Sequence, residues 1–233
     1  MTEQAPRQVL DSIISNVFGY GRLDAPLWFI GYEEHCDSEQ DAKRRLPAMA
    51  AFSGACDVFE AHEKMGHPNP VNTSVWPEMQ EIVRAAGLRD AHVGRRDSDV
   101  FLLELLPLPH ANKSAWYADL YAALGFTNRE KYVEGVLKGR VERVRALVQE
   151  HRPKVVLVHH SFKDKSHLHG LIGGEPVKKI KIGAKWLYIR RDGETVWLAS
   201  ANLSSAAFWT DAERANLRTA LRTTLRMARR PAD

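Results

Sequence analysis

Apolar and polar positions follow two rhythms along this chain. Val9, Leu10, Ile13, Ile14 and Val17 recur at helical spacing and predict a short helix over 7–18, broken by Gly19-Tyr20-Gly21. The apolar run Leu27-Trp28-Phe29-Ile30 then reaches Gly31 and reads as a buried strand at about 26–31. A helical pattern covers 38–65, with a break marked by Pro47. Asn69-Pro70 signals a turn, and a helix over 75–87 ends on Gly87 as its C-cap. The next strand is Val100-Phe101-Leu102-Leu103-Glu104-Leu105-Leu106, followed by a loop from Pro107 to Ser114. Asn128 caps a long amphipathic helix that reaches His151. A strand over 154–159 and a short helix over 161–172 follow, the latter ended by Gly173-Gly174. Residues 178–191 read as one strand with a bulge at Gly183, or as a hairpin. A last strand at 195–200 leads through the polar loop Asn202 to Ser205 into a final helix over 210–229.

Strands that alternate with helices predict an α/β fold, a three-layer α/β/α sandwich on a central, mostly parallel sheet of four or five strands. With no linker and no internal repeat, residues 1–233 read as a single domain. Ligands of such sheets bind just past the carboxyl ends of the strands. Several strands here end in polar clusters: Glu33, Glu34 and His35 after the first, Pro107 to Ser114 after the second, His159 and His160 after the third, and Asn202 to Ser205 after the last. In a parallel sheet these clusters converge on one edge, and that edge is the candidate site.

Composition narrows the classes. A chain of 233 residues, 44% hydrophobic, builds one full-sized core. No apolar run is long enough to span a bilayer, and Met1 to Arg7 lacks the apolar core of a signal peptide, so a cytoplasmic location without a membrane partner is expected. Cys36 and Cys56 are too few for a disulfide framework or a four-cysteine metal site. A net charge of +4 permits nucleic-acid binding. Arg214, Arg218, Arg222, Arg226 and Arg230 recur every four residues, a stripe that either follows phosphates or is a solvated helix face.

The motifs, taken in order, resemble the uracil-DNA glycosylase superfamily from about residue 24 to residue 217. Gly31-Tyr32-Glu33-Glu34-His35 is similar to the GQDPY or GINPG segment, with Glu33 at the acidic or amide position. Ala51-Phe52-Ser53-Gly54 resembles the segment whose Phe stacks on the flipped base. The strand Phe101 to Leu106 with Pro107-Leu108-Pro109 resembles the strand that carries the base-reading Asn, replaced here by Glu104. Ser200-Ala201-Asn202-Leu203-Ser204-Ser205 stands where the family has its HPS-type loop, with Asn202 nearest the missing His. Proline is also absent after Glu33.

The resemblance implies hydrolysis of the N-glycosidic bond of a damaged or modified base in DNA, with no cofactor. Glu33 would orient water and stabilise the oxocarbenium-like sugar. Asn202 or His35 would serve the departing base. Phe52 and Tyr32 would face the base and Glu104 would read its edge. An ionised Glu104 accepts only, which suits an edge rich in N–H donors. Asn112, Lys113, Ser204 and Ser205 would hold phosphates. DNA is the expected partner, and no partner protein is indicated. Two other readings stand beside this one: a nucleic-acid-binding protein of the same fold without catalysis, and a metal-dependent hydrolase using His159, His160, His167 and His169 with Asp164. Cys36 beside His35 is also a candidate nucleophile.

Overall fold

The computed structural model describes residues 5–66, 75–89, 92–111, 116–160, 165–201, 203 and 210–228. In chain order the elements are α1 (Arg7–Ser15), β1 (Phe18–Gly21), β2 (Leu27–His35), α2 (Glu39–Ala50), β3 (Gly54–Cys56), α3 (Val58–Lys64), α4 (Trp76–Ala85), β4 (Val100–His110), α5 (Arg129–His151), β5 (Val155–His159), α6 (Lys165–Ile172), β6 (Lys178–Ile182), β7 (Lys185–Asp192), β8 (Thr195–Ser200) and α7 (Asp211–Ala228). Among the described residues these seven helices accompany one mixed sheet of eight strands, in the order β3-β1-β4-β2-β5-β8-β7-β6. β4, β2, β5 and β8 pair parallel at its centre. β1 joins β4, β7 joins β8 and β6 joins β7 antiparallel, while β3 pairs parallel with β1 at the far edge.

Eight strands correct the four or five expected, and local chemistry accounts for the difference. Gly19 and Gly21 read as helix breakers, yet they form a buried strand. A Cβ at Gly19 would run into the Leu102 carbonyl and the Phe101 ring, and Gly21 holds φ +107, so glycine is what lets β1 lie against β4. The first helix therefore stops at Ser15 instead of running over 7–18. The hairpin reading of 178–191 is the observed one, with Gly183 (φ +59) in its turn between Ile182 and Lys185. Pro47 lies inside α2, which continues to Ala50, so the break falls after the proline and β3 fills part of the expected helical region.

β4 runs to His110, through residues expected as loop. Pro107 and Pro109 donate nothing to a ladder, but the neighbouring groups are satisfied from the side: Leu108 N–H donates to the Tyr132 hydroxyl (3.2 Å) and the Tyr121 hydroxyl donates to the Pro109 carbonyl (2.6 Å). α5 begins as its sequence predicts, with the Asn128 side chain accepting from Lys131 N–H (2.9 Å). It ends at Arg152, in the left-handed conformation (φ 48) before Pro153.

The core follows the apolar runs. Leu27, Trp28, Phe29, Ile30 and Val155 to Val158 are all inaccessible to water, as strands covered on both faces must be. Inside it, the buried Arg140 of α5 donates to the carbonyls of Leu105 (3.0 Å), Glu104 (3.2 Å), Ile14 (3.2 Å) and Asn16 (2.7 Å). Burial lowers its pKa to about 10. No helix among the described residues is long and apolar enough to cross a membrane.

Candidate active site

β2 carries its apolar run through the sheet and then delivers Tyr32, Glu33 and Glu34 at its carboxyl end, inside the strand and not in a loop beyond it. Its neighbours end alongside: His110 of β4 lies in register with His35, and β5 runs out at His159. Glu33 is fixed from two sides. Its Oε1 lies 2.6 Å from His110 Nε2 and 2.8 Å from Arg129 Nε, and its Oε2 lies 2.8 Å from Arg129 Nη2. Arg129 is the first residue of α5, so the Asn128 cap that starts the helix also aims the guanidinium. Burial opposes ionisation of Glu33, but the hydrogen bonds from His110 and Arg129 outweigh it and hold the carboxyl below its ordinary value. Glu33 is thus a carboxylate in a charge-assisted, bidentate grip.

Tyr32 and His160 make an aromatic platform next to this ion pair. Their rings stack at 3.8 Å between centroids and 11° between planes. The Arg129 guanidinium lies 6.0 Å from the Tyr32 centroid, at the limit of a cation–π contact.

Two further carboxyls stand nearby with different proton affinities. Gly31 and Glu104 are register partners on β2 and β4. The Glu104 carboxyl lies where a Gly31 Cβ would be, so only glycine leaves room for it. Its Oε2 is shut off from water and has no hydrogen-bond partner among the described residues. Burial, followed by repulsion from Glu34 and Glu33, raises Glu104 well above the usual carboxylate range. Burial thus favours its neutral form, which adds an O–H donor to the acceptor-only edge expected of an ionised Glu104. Glu34, 3.7 Å from Arg45, is raised from 4.5 to about 7, chiefly by burial. Arg45 is committed elsewhere: it grips Asp41 through Nε (3.0 Å) and Nη2 (2.6 Å) and donates to the His35 carbonyl (2.9 Å).

The other expected residues fall as follows. His35 is exposed at the end of β2. Phe52 is buried against Phe18, with centroids 5.5 Å apart, at the β1–β3 side of the sheet. Asn112, Lys113, Asp164, Asn202, Ser204 and Ser205 lie outside the described residues. His159 is buried, neither ring nitrogen has a partner among the described residues, and burial lowers its pKa to about 4. Among the described residues no group of three or more His, Cys, Asp or Glu is placed to hold a metal ion. Burial raises Cys36 to about 11, which keeps it a neutral thiol and disfavours the nucleophile reading.

Sequence reasoning did not single out Arg129, His110 or Arg45. His110 stood in the polar cluster after the second strand. Arg129 had one local signal, its place directly after a helix cap at the carboxyl edge of the sheet. No family model matches this chain, and no curated protein matches it.

Proposed function

We propose that this chain hydrolyses the N-glycosidic bond of a base in DNA, on an α/β/α sandwich of the kind the uracil-DNA glycosylase superfamily uses. The observation that carries the reading is Glu33, an ionised carboxylate at the carboxyl end of a central parallel strand beside an aromatic platform. A carboxylate offers about four lone-pair sites. His110 and Arg129 occupy two on Oε1, and Arg129 occupies one on Oε2. The remaining site on Oε2 accepts a hydrogen bond from a water molecule. A carboxylate with its charge so balanced is a weak base. It orients water and stabilises positive charge, which suits a dissociative step in which the sugar becomes cationic before water adds.

Tyr32, stacked on His160, takes the base-stacking role in this mechanism, because Phe52 is committed to the core. In the neutral form that burial favours, Glu104 presents one O–H donor beside one acceptor. It reads a base edge by swinging its carboxyl off Gly31. His35, exposed at the end of β2, serves as a donor to the departing base, the role that the sequence also offers to Asn202.

The test is release of base from single- and double-stranded oligonucleotides carrying uracil, hypoxanthine, hydroxymethyluracil or normal bases, scored as abasic sites by alkaline cleavage. Glu33→Gln is expected to lower the rate by about 100-fold or more in a protein that still folds, with a lower melting temperature because Arg129 and His110 lose their charged partner. Undiminished release by that variant, or no abasic site on any substrate, rejects the mechanism. Retained, salt-sensitive DNA binding without release would instead identify a binding protein.

A further inference from the structure

The β6–β7 hairpin has two unlike faces. Paired residues of an antiparallel ladder share a face, so Ile182 and Lys185 lie on one face with Leu187. That face is packed: Ile182 and Leu187 are buried, and Lys185 meets Glu213 of α7 at 3.3 Å. The opposite face pairs Lys179 with Tyr188 and Lys181 with Trp186. Trp186 is 44% exposed, and Lys179 and Lys181 are also exposed. The Lys179 ammonium lies 5.7 Å from the Tyr188 ring. No acidic residue occurs from 176 to 191. Lysines on an edge strand discourage edge-to-edge pairing, but that role does not need an exposed tryptophan between them.

We propose that this face binds single-stranded nucleic acid, with bases stacked on Trp186 and Tyr188 and phosphates held by Lys179 and Lys181. Each pair is two residues apart along its strand, about 6.6 Å. The result is a checkerboard of flat apolar rings and point charges. Charge alone would accept a duplex, but a duplex keeps its base faces stacked inside, out of reach of Trp186.

The register connects this face to the candidate active site. Tyr188 lies opposite Ala199, Ala199 opposite Val158, and Val158 opposite Ile30. Continued two residues toward the carboxyl edge, past the last paired positions, the same row runs through Trp186, Ala201, His160 and Tyr32. The stack between Tyr32 and His160 shows that the row persists past the end of β5. Trp186 therefore shares a face and an edge with the platform beside Glu33, three strand spacings or about 14 Å away. Binding at the hairpin is independent of any reaction at Glu33, whereas the continuation of the strand to Tyr32 rests on the hydrolase reading.

Fluorescence anisotropy of the full chain with a labelled twelve-nucleotide oligothymidine, against a duplex of equal length, tests the proposal. The single strand is expected to bind more tightly than the duplex. Trp186→Ala should weaken it about 5- to 150-fold, while Trp186→Phe retains most of the affinity. Lys179→Gln with Lys181→Gln should flatten the log–log salt slope by about 1.4. All variants should melt like the parent protein, since the altered side chains are exposed. Absence of binding, equal binding of duplex with no effect of Trp186→Ala, or Trp186-dependent flotation with phosphatidylserine vesicles in place of oligonucleotide binding would each overturn it. Hairpin-dependent binding without base release would uphold this surface and reject the hydrolase reading, so the two fail separately.

Discussion

Glu33, Glu34 and Glu104 show how far side-chain identity can mislead about charge. All three read as acids in the sequence, yet only Glu33 is held firmly ionised. The difference comes from Arg129 and His110, which reach Glu33 from α5 and from the end of β4, and no spacing in the chain announces that meeting. Gly31 was legible as a point of close approach, but what approaches it, the Glu104 carboxyl, was not. Glu34 gives a prediction with a definite sign. Its pKa is raised on folding from 4.5 to about 7, so the unfolded chain loses this proton first as pH rises. Its contribution is fully present below pH 4.5 and is lost between there and about 7, an amount on the order of 3 kcal/mol. Glu34→Gln should remove that decline. Urea denaturation at pH 4.5 and pH 8 is expected to show the variant gaining on the parent protein at the higher pH, and equal differences at both would refute the assignment.

At the level of elements, the strongly patterned ones were readable and the short ones were not. The runs in β2, β5 and β8 and the capped helix α5 carry their own signals. β1 and β3 exist only because β4 offers β1 an edge to pair with, and a four-residue stretch with two glycines has no local reason to be a strand. The Pro-rich end of β4 read as loop because the hydroxyls that satisfy it, Tyr121 and Tyr132, come from later in the chain. α5 organises more than its length suggests. Arg129 at its start reaches Glu33, and Arg140 ties the end of α1 to β4 through main-chain carbonyls. Arg140→Met keeps the stem and removes the donors, leaving several buried acceptors unpaired. A loss of about 3 kcal/mol or more is expected in chemical denaturation, and a loss under about 1 kcal/mol would show that water replaces the guanidinium.

Across the whole molecule, the distribution of positive charge differs from its appearance in the sequence. The arginine stripe of α7 is partly consumed internally: Arg214 (2.9 Å) and Arg218 (2.6 Å) close on Glu78, a buried carboxylate of α4. Arg222 and Arg226 face solvent. Arg218→Ala is therefore expected to destabilise the protein by about 2 kcal/mol or more, because it weakens the hold on a buried charge. Arg222→Ala should stay within about 0.5 kcal/mol of the parent. Thermal melts of the two variants side by side check this, and equal effects would mean that α7 does not dock through Glu78. The states of the three site carboxyls have a consequence on the same scale. The Glu33 charge is paired with Arg129, burial favours the neutral form of Glu104, and Glu34 is raised to about 7. A cleft that looks like a wall of negative charge therefore repels an approaching polyanion less than three free carboxylates would, and its repulsion grows as the solution turns alkaline.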